Sequence, residues 1–280
     1  MTITGLWWVL AGFAVAIGLC IGSFLNVVIA RLPEDRSLLP GSACDSCGAQ
    51  IPIWRNIPVL SYLLLRGRCA SCAAPIPASI PVVEALGGAL GFLAWARCVP
   101  VGPVDLLHAA AAFALLGFLA MLVAASEIDL RHRILPDELT IYATPVLLLI
   151  VAVFDVGGLH MFPFPTWRSA VVGAGVAGVG MGAIGVISSL LLGREALGWG
   201  DVKMTVMLAA FLGLIPGAFV VLMLGSMIGS VIGLGHLLVT RRRAYLPLGP
   251  CLAWSAALYT LFGDTVFPYV FPNIQFAAGW

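Results

Sequence analysis

Two aspartates stand where long apolar segments end or begin, which is a costly place for a charge. Asp129 directly follows the apolar run 106–126, and Asp201 lies 72 positions later between two further apolar runs. Ionisable side chains at membrane depth are rare and usually functional. Two neighbouring carboxyls share a proton, so the pair can activate water as a base and polarise a carbonyl as an acid. Asp129 and Asp201 are therefore a candidate dyad for aspartic peptide hydrolysis.

Each of these residues also has a structural interpretation. Asp129 could cap its helix or form an ion pair with Arg131 or Arg133. Asp201 could stabilise the first turn of the following helix through the helix dipole. Lys203 could orient substrate or tune the dyad, or it could simply extend towards the membrane interface. The residues by themselves leave these alternatives open.

Four cysteines in two CxxC pairs form a second candidate site. Cys44 and Cys47 are separated from Cys69 and Cys72 by 21 residues, just beyond the usual zinc-ribbon spacing of about 15–20. Four thiolates in a tetrahedral array suit Zn²⁺, and the loop 31–79 contains no histidine, so a Cys₄ site is predicted. The alternatives are disulfides or redox-active CxxC pairs. A metal would stabilise a loop that has little core of its own.

The elements that position these residues are transmembrane helices. The chain has 280 residues, of which 61% are hydrophobic and 10% charged, whereas soluble domains have about 25% charged residues. A spanning helix needs about 20 mostly apolar residues. We therefore expect an all-α polytopic membrane protein with about eight transmembrane helices and a small zinc-binding cytoplasmic loop domain, or seven spans if 201–239 is one kinked element. The predicted spans are 6–30, 80–97, 106–126, 139–154, 170–192, 201–215, 217–239 and 246–262.

The basic residues predict the orientation of these spans. Twelve of the 14 fall in the odd-numbered loops, and only Arg97 and Arg168 fall opposite. The positive-inside rule puts those loops in the cytoplasm and both termini outside. Both aspartates then lie on the cytoplasmic side, and the cysteine loop lies in a reducing compartment, which disfavours disulfides. The twelve are Arg31, Arg36, Arg55, Arg66, Arg68, Arg131, Arg133, Arg194, Lys203, Arg241, Arg242 and Arg243.

The span 170–192 is rich in glycine and contains the GxxxG pair Gly178 and Gly182. Small residues at this spacing allow helices to approach closely in lipid, so we expect a packing face. The functional alternative is a flexible gate that admits substrate.

Several motifs, in order along nearly the whole chain, resemble those of the type IV prepilin peptidases, a bacterial family of leader peptidases and N-methyltransferases. The fourth and fifth contain Asp129 and Asp201, and the fifth, Gly198-Trp199-Gly200-Asp201, is of GxGD type. The motifs lie at 22–33, at 56–62 together with 66–69 and the two CxxC pairs, at 81–84, at 129–137, at 198–203 and at 246–250.

The resemblance implies a specific activity. Members of the family cut the short basic leader of prepilins and type II secretion pseudopilins at the cytoplasmic face, after a glycine. They then methylate the new N-terminal residue with S-adenosylmethionine. Asp129 and Asp201 carry over as the catalytic dyad of a GxGD-type intramembrane aspartic protease. Asp137 matches the closing acid of its motif, and we expect it to cap the next helix. The carried-over zinc ligands are Cys44, Cys47, Cys69 and Cys72.

No residue is assigned to methyl transfer. The N-terminal cytoplasmic region is the expected contributor, with Glu84, Arg66 and Arg68 as candidates, although Glu84 could equally be a solvent-exposed residue near the end of its span. The expected division is a first transmembrane helix (1–30), a cytoplasmic Cys₄ loop (31–79) and a transmembrane peptidase core (80–280). The expected location is the bacterial inner membrane.

Two rival classes remain to be tested. A membrane thiol oxidoreductase would use the CxxC pairs, but it would require them to face an oxidising compartment or a quinone. A transporter would also place polar residues within spans, but no inverted repeat is evident. The net charge of +1 gives no indication of nucleic-acid binding.

Overall fold

The computed structural model describes residues 3–39, 41–193, 197–241 and 247–270. Within these ranges the chain forms helices, turns and two isolated β-bridges but no strand, which confirms the all-α fold class. The predictions that rest on Arg194, Arg242, Arg243 and Leu246 lie outside the described residues. The chain divides into two compact units, Met1–Ala124 and Ala125–Trp280.

Long apolar helices dominate both units. Shorter 3₁₀ turns occur at Leu32–Glu34, Ile53–Arg55 and Asp137–Leu139. The described α-helices are α1 (Ile3–Arg31), α2 (Leu60–Leu64), α3 (Ser79–Cys98), α4 (Leu106–His132), α5 (Ala143–Val156), α6 (Trp167–Leu192), α7 (Trp199–Leu212), α8 (Phe219–Thr240) and α9 (Leu248–Val270).

Six segments of the described chain are long and apolar enough to cross a membrane. The last of them has 42 residues and contains α7 and α8 together. The multi-pass membrane architecture is therefore confirmed, while the number eight stays a prediction. The six segments are Thr4–Glu34, Ser79–Cys98, Leu106–His132, Asp137–Val156, Trp167–Leu192 and Trp199–Thr240.

In the first unit, α1 and α3 pack antiparallel at backbone-contact distance through glycines. A methyl group added to Gly22 would lie 2.7 Å from the carbonyl oxygen of Val83. One added to Gly87 would lie 2.9 Å from the Cα atom of Gly22. Any side chain larger than hydrogen would force these helices apart, so the glycines define this interface.

Two side-chain hydrogen bonds fix the two ends of this helix pair. The indole N–H of Trp7 donates to the carbonyl oxygen of Val99 over 3.0 Å. At the other end, the amide of Asn26 donates to the carbonyl oxygen of Ile80 over 3.2 Å. The carbonyl of Val99 lies just beyond the C-terminal end of α3, where carbonyls lack intrahelical partners, and the bond from Trp7 satisfies it.

In the second unit, α6 packs against α7 with glycines at the contact. A methyl group on Gly178 would lie 3.3 Å from the side chain of Val206 on α7, whereas no described atom comes within 4 Å of the corresponding position on Gly182. The predicted packing role is therefore confirmed for Gly178, whereas Gly182, one turn further along the same helix face, makes no such contact within the described residues.

The segment 201–239 contains two helices and not one kinked helix. The backbone leaves the helical conformation at Gly213, with a φ of 72°, and at Ile215, with φ −127° and ψ 130°. A continuous helix of this length would measure about 60 Å, roughly twice the thickness of a bilayer core. The break instead lets α7 end at Leu212 and α8 begin at Phe219.

Helices α8 and α9 pack antiparallel, and this contact brings the start of α9 into place. The hydroxyl of Ser255 on α9 donates to the carbonyl oxygen of Val221 on α8 over 2.9 Å, and Gly225 packs against Leu252. The start of α9 carries Gly249, which lies beside Asp129.

Candidate active site

Asp129 lies in the last turn of α4 and is buried, with 7% of its surface exposed. Just beyond it the chain turns sharply, because Arg133 adopts a left-handed φ of 56° and its backbone N–H donates to the carbonyl oxygen of Asp129. Arg131 forms an ion pair of 2.8 Å with Glu127. The predicted alternative in which Arg131 neutralises Asp129 is therefore wrong.

Asp201 lies in the first turn of α7 and is half-buried. Its backbone N–H donates to the carbonyl oxygen of Gly198, which has an extended conformation and precedes the helix. A carboxyl at a helix N-terminus is favoured by the helix dipole. A methyl group on Gly198 would lie 3.6 Å from the Asp201 carboxylate. The glycine therefore leaves the approach to this carboxyl open.

The structure brings the two aspartates together. Their carboxyl groups are near enough for their charges to interact. The backbone N–H of Gly249 on α9 donates to the Asp129 carboxylate, and a methyl group on that glycine would overlap the carboxylate. Leu135 lies beside both Gly249 and Gly200. One apolar side chain therefore contacts α7, which carries Asp201, and α9, whose Gly249 bonds to Asp129.

An ion pair that sequence reasoning did not find joins the two aspartate motifs. The Lys203 ammonium donates to the Asp137 carboxylate over 2.6 Å. Asp137 begins a 3₁₀ turn and its side chain caps no helix, so the predicted capping role is wrong. The Lys203 side chain is partly exposed in this pair, and its two predicted roles stay predictions.

Leu135 and Gly249 also escaped prediction as site residues. Both lie inside motifs that were recognised, at 129–137 and 246–250, but neither side chain has reactive chemistry. Only their contacts with Asp129 and Gly200 reveal their position. Their place within those two motifs was the one available signal.

The four predicted zinc ligands converge on one point. The sulfur atoms of Cys44, Cys47, Cys69 and Cys72 all lie within 4.8 Å of one another. The sulfurs of Cys44 and Cys72, which belong to different CxxC pairs, are 3.8 Å apart. A tetrahedron with zinc–sulfur bonds of about 2.3 Å has edges of about 3.8 Å. The four thiols therefore fit a tetrahedral metal ion, and all four are free of disulfide bonds.

Two similar turns present these sulfurs. In the first, the backbone N–H of Gly48 donates to the carbonyl oxygen of Cys44 over 2.8 Å, and in the second Ala73 donates to Cys69 over 2.9 Å. Gly48 and Ala73 both adopt left-handed backbone angles, with φ of 70° and 57°. The loop thus holds two copies of one turn, facing each other across the sulfur cluster.

The turn geometry prepares the thiols for a metal. Backbone N–H groups of Cys72 and Ser71 donate to the sulfur of Cys69 and lower its pKa to about 6. The N–H of Ala74 has the same effect on Cys72, but the neighbouring thiols, Cys47 foremost, outweigh it and raise the pKa of Cys72 to about 12. Close packing of four thiols favours one thiolate over several, and a divalent cation would remove that limit.

Glu84 is buried, with 6% of its surface exposed, so the predicted solvent-exposed alternative is wrong. Its carboxylate accepts a hydrogen bond of 2.6 Å from the backbone N–H of Val59, which has a φ of 61° that β-branched residues rarely adopt. Glu84 therefore ties the cysteine loop to the start of α3. Arg66 and Arg68 lie exposed on the surface of that loop.

Comparisons with known proteins agree with this site. Residues 16–98 match the model of the Bacterial Peptidase A24 N-terminal domain, and residues 115–234 match that of the Type IV leader peptidase family. The chain is 37% identical over 279 residues to the prepilin leader peptidase/N-methyltransferase of Burkholderia pseudomallei (strain 1026b), covering 90% of this chain and 85% of that protein.

Two further relatives carry the same name. The protein of Myxococcus xanthus (strain DK1622) is 39% identical over 233 residues, which cover 83% of this chain and 64% of that protein. The protein of Aeromonas hydrophila is 34% identical over 298 residues, which cover 96% of both chains. No solved structure matches this chain.

These matches define a class of membrane peptidase and confirm the resemblance drawn from the motifs. The chain belongs to the type IV leader peptidase family. It is an enzyme, a peptidase with N-methyltransferase activity.

Proposed function

We propose that the chain cleaves the N-terminal leader of type IV prepilins and type II secretion pseudopilins after a glycine, with Asp129 and Asp201 as the catalytic dyad. The observation that carries the proposal is the meeting of these two carboxyls, one buried at the end of α4 and one in the first turn of α7. The names of the relatives supply the substrate class.

The chemistry follows from a dyad that holds one proton. The ionised carboxylate takes a proton from water, whose oxygen attacks the scissile carbonyl carbon, while the other carboxyl gives its proton to the carbonyl oxygen. The resulting tetrahedral diol then collapses. The carbon–nitrogen bond breaks, the proton taken from water passes to the leaving nitrogen, and a diol proton returns to the dyad. The products are a carboxylic acid and a free amine, and the dyad again holds one proton.

The second activity acts on that free amine. The amine nitrogen of the new N-terminal residue attacks the methyl group of S-adenosylmethionine and loses a proton to water, and S-adenosylhomocysteine leaves. We assign no residue to this step. The first unit contains the expected contributors, of which Glu84 is committed to Val59 while Arg66 and Arg68 remain exposed to a ligand.

For the cysteine cluster we propose structural zinc. The four thiols fit a tetrahedral site. The rival function, a membrane thiol oxidoreductase, needs each CxxC pair to close as its own disulfide, whereas here sulfurs of different pairs approach within 3.8 Å. Zinc content and free thiols of the purified protein separate the two: one zinc per chain without a disulfide excludes the oxidoreductase.

We also propose a location and an organisation. The chain lies in the bacterial inner membrane with eight spans, both termini outside and the dyad at the cytoplasmic side, as the distribution of arginine and lysine predicts. In functional terms, 1–30 is the first spanning helix, 31–79 is the zinc loop associated with methyl transfer, and 80–280 is the peptidase core. Its partners are prepilin or pseudopilin substrates and the lipid bilayer.

One experiment tests both activities. The purified protein, in detergent or nanodiscs, is incubated with a prepilin and S-adenosylmethionine, and the product is measured by intact mass. We expect loss of the leader at a glycine and a gain of one methyl group on the new N-terminus. An uncut prepilin would refute the peptidase proposal, and a cut but unmethylated product would refute the methyl-transfer proposal alone.

A further inference from the structure

A short strap within the first aspartate motif lies beside the dyad. It comprises residues 133–137 and leaves α4 through the left-handed Arg133. In its middle, the side chain of Leu135 reaches α7 and α9 at once. The position that a methyl group on Gly200 would take is 3.3 Å from Leu135, and the equivalent position on Gly249 is 3.5 Å from it.

Leu135 is half-buried, and two glycines lie beside it next to the dyad. A methyl group on Gly249 would overlap the Asp129 carboxylate, and one on Gly200 would press on Leu135. Glycines at both positions leave room for the Leu135 side chain beside the backbones of α7 and α9. Leu135 therefore lies next to Gly249, which contacts the Asp129 carboxylate, and next to Gly200, the neighbour of Asp201.

The strap is held at its far end by charge. Asp137 pairs with Lys203 on α7, two residues after Asp201, over 2.6 Å. Both side chains are partly exposed, so the pair adds little stability by itself. Its geometric effect is larger, because it connects the strap to the same helix turn that carries one of the two acids.

We propose that Leu135 limits the size of the substrate residue whose carbonyl is attacked, and that the Asp137–Lys203 pair positions Leu135 for this role. The inference rests on the proposed dyad, because it concerns the space beside Asp129 and Asp201. The side chain of a substrate residue placed beside the dyad would meet Leu135, whereas a residue without a side chain would not. Leu135 determines specificity, and Asp137 and Lys203 are positioning residues.

The test uses two leader substrates that differ only in having glycine or alanine before the scissile bond. For the full-length enzyme and Leu135→Ala, kcat/KM is measured on both. We expect the alanine-to-glycine ratio to rise about tenfold or more in Leu135→Ala, since one methylene in a fitted site changes selectivity by roughly 10–200-fold. Leu130→Ala, the same change at an exposed position of α4, should leave the ratio unchanged. An unchanged ratio in a folded Leu135→Ala enzyme would overturn the inference.

The positioning role is tested by exchanging the two charges. Asp137→Lys and Lys203→Asp each place like charges together and should raise the alanine-to-glycine ratio and lower kcat. The double exchange restores an attractive pair and should return the ratio towards the wild-type value. A purely structural pair would change yield and melting without moving the ratio, and that result would refute positioning. If the wild-type enzyme cuts no leader, the proposed function fails; if it cuts and the ratio stays fixed, only this inference fails.

A different observation carries a second inference, about the cysteine loop. Residues 53–68 of the cysteine loop expose large apolar side chains: Ile53 and Trp54 are 88% and 74% exposed, and Leu64 is 74% exposed. Three arginines lie within this segment, Arg55, Arg66 and Arg68. Within the described residues none of them pairs with a carboxylate.

The segment is tethered next to a membrane helix. Val59, in its middle, donates to Glu84 near the start of α3, which is long and apolar enough to span. We infer that residues 53–68 dock onto the surface of the anionic lipid bilayer. Trp54 and Leu64 enter the boundary between headgroups and acyl chains, and the arginines bind lipid phosphates.

Fluorescence of the full-length protein in nanodiscs tests this docking. The emission of the wild type minus that of Trp54→Phe gives the contribution of Trp54. In phosphatidylglycerol-containing nanodiscs, lipids brominated near the headgroup should quench this contribution strongly and aqueous acrylamide only weakly. The double variant Arg66→Gln/Arg68→Gln should lose part of the lipid quenching in anionic but not in zwitterionic nanodiscs. Quenching by acrylamide alone, or by neither agent, would show solvent exposure or a protein contact and would refute the inference.

Discussion

The two aspartates have different surroundings, and this difference shapes the first prediction. Asp129 is buried and accepts a hydrogen bond from the Gly249 backbone, while Asp201 is half-buried at a helix N-terminus. Asp129→Asn and Asp201→Asn keep the size of each side chain but replace the ionisable carboxyl with an amide that neither accepts nor gives up a proton in the reaction. We expect each to abolish leader cleavage, by a factor of about 10⁴ or more, while the protein still accumulates in the membrane.

The control for this prediction is Glu127→Gln, two residues before Asp129 on the same helix. Glu127 pairs with Arg131 at the surface, so its neutralisation changes the local charge without touching the dyad. We expect near wild-type cleavage from it. Cleavage of a prepilin at near wild-type rate by either aspartate variant would disprove the dyad.

The two copies of the cysteine turn give a prediction with an internal control. Gly48 and Ala73 occupy equivalent left-handed positions, and only glycine adopts this conformation without cost. Ala73→Gly should stabilise the loop by up to about 1 kcal/mol, and Gly48→Ala should destabilise it by a similar amount. Zinc release to a chelating dye, timed in the full-length protein, should slow in the first variant and accelerate in the second. Equal release from both would contradict the equivalence of the turns.

The residue types in the sequence predicted which residues form the candidate sites better than they predicted which residues those contact. The cysteines could be grouped from sequence because CxxC spacing places two sulfurs on one turn. The burial of Glu84 could not be predicted, because it depends on a hydrogen bond from Val59. Val59 is 25 positions away and has a strained backbone conformation. The role of Asp137 was predicted wrongly for the same reason, because its ion-pair partner, Lys203, is 66 positions away.

At the scale of elements, the pair formed by α1 and α3 depends on a few glycines. A methyl group on Gly22 would lie 2.7 Å from a backbone oxygen of α3, whereas one on Gly12 would meet no described atom within 4 Å. Gly22→Ala should therefore cost about 1–3 kcal/mol through overpacking. Gly12→Ala should be neutral or stabilising by up to about 1 kcal/mol, because alanine favours helix. Thermal unfolding of the detergent-purified protein measures both, and similar melting of the two variants would refute the interface.

The cysteine loop also acts as one element, since its two turns meet at the four sulfurs. Cys44→Ser with Cys47→Ser removes half of the ligand set, and we expect the loop to lose its fold while the dyad, in the other compact unit, keeps its geometry. The purified variant should contain no zinc and should melt at a lower temperature. Unaltered melting with full activity would show that the loop needs no metal.

The helices were predictable where their formation depends only on a continuous run of residues in the sequence. Apolar runs long enough to span gave each long helix, because a bilayer requires about 20 such residues in sequence. The break between α7 and α8 was visible only as an ambiguity around Pro216, and the conformations of Gly213 and Ile215 resolved it into two helices. The glycine contacts were predictable as a tendency but not by residue, since Gly178 packs and Gly182 does not.

At the scale of the whole molecule, the number of spans decides which side each end of the chain faces. Eight spans place both termini outside, whereas seven would place them on opposite sides. Two described features favour eight: the break that separates α7 from α8, and the antiparallel contact of α8 with α9. Two spans, α5 and α6, separate Asp129 from Asp201, so both lie on one side whether the total is seven or eight.

Reporter fusions test this arrangement directly. Alkaline phosphatase, which folds only outside the cytoplasm, should be active when fused after Gly102 or after Trp280, and green fluorescent protein should be dark there. Fused after Arg133, in a truncated chain, the two reporters should behave in the opposite way, because the positive charges hold that loop inside. Fluorescence of green fluorescent protein fused after Trp280 would indicate an odd number of spans. Phosphatase activity after Arg133 would place the Asp129 motif outside, away from a leader that the proposed reaction cuts in the cytoplasm.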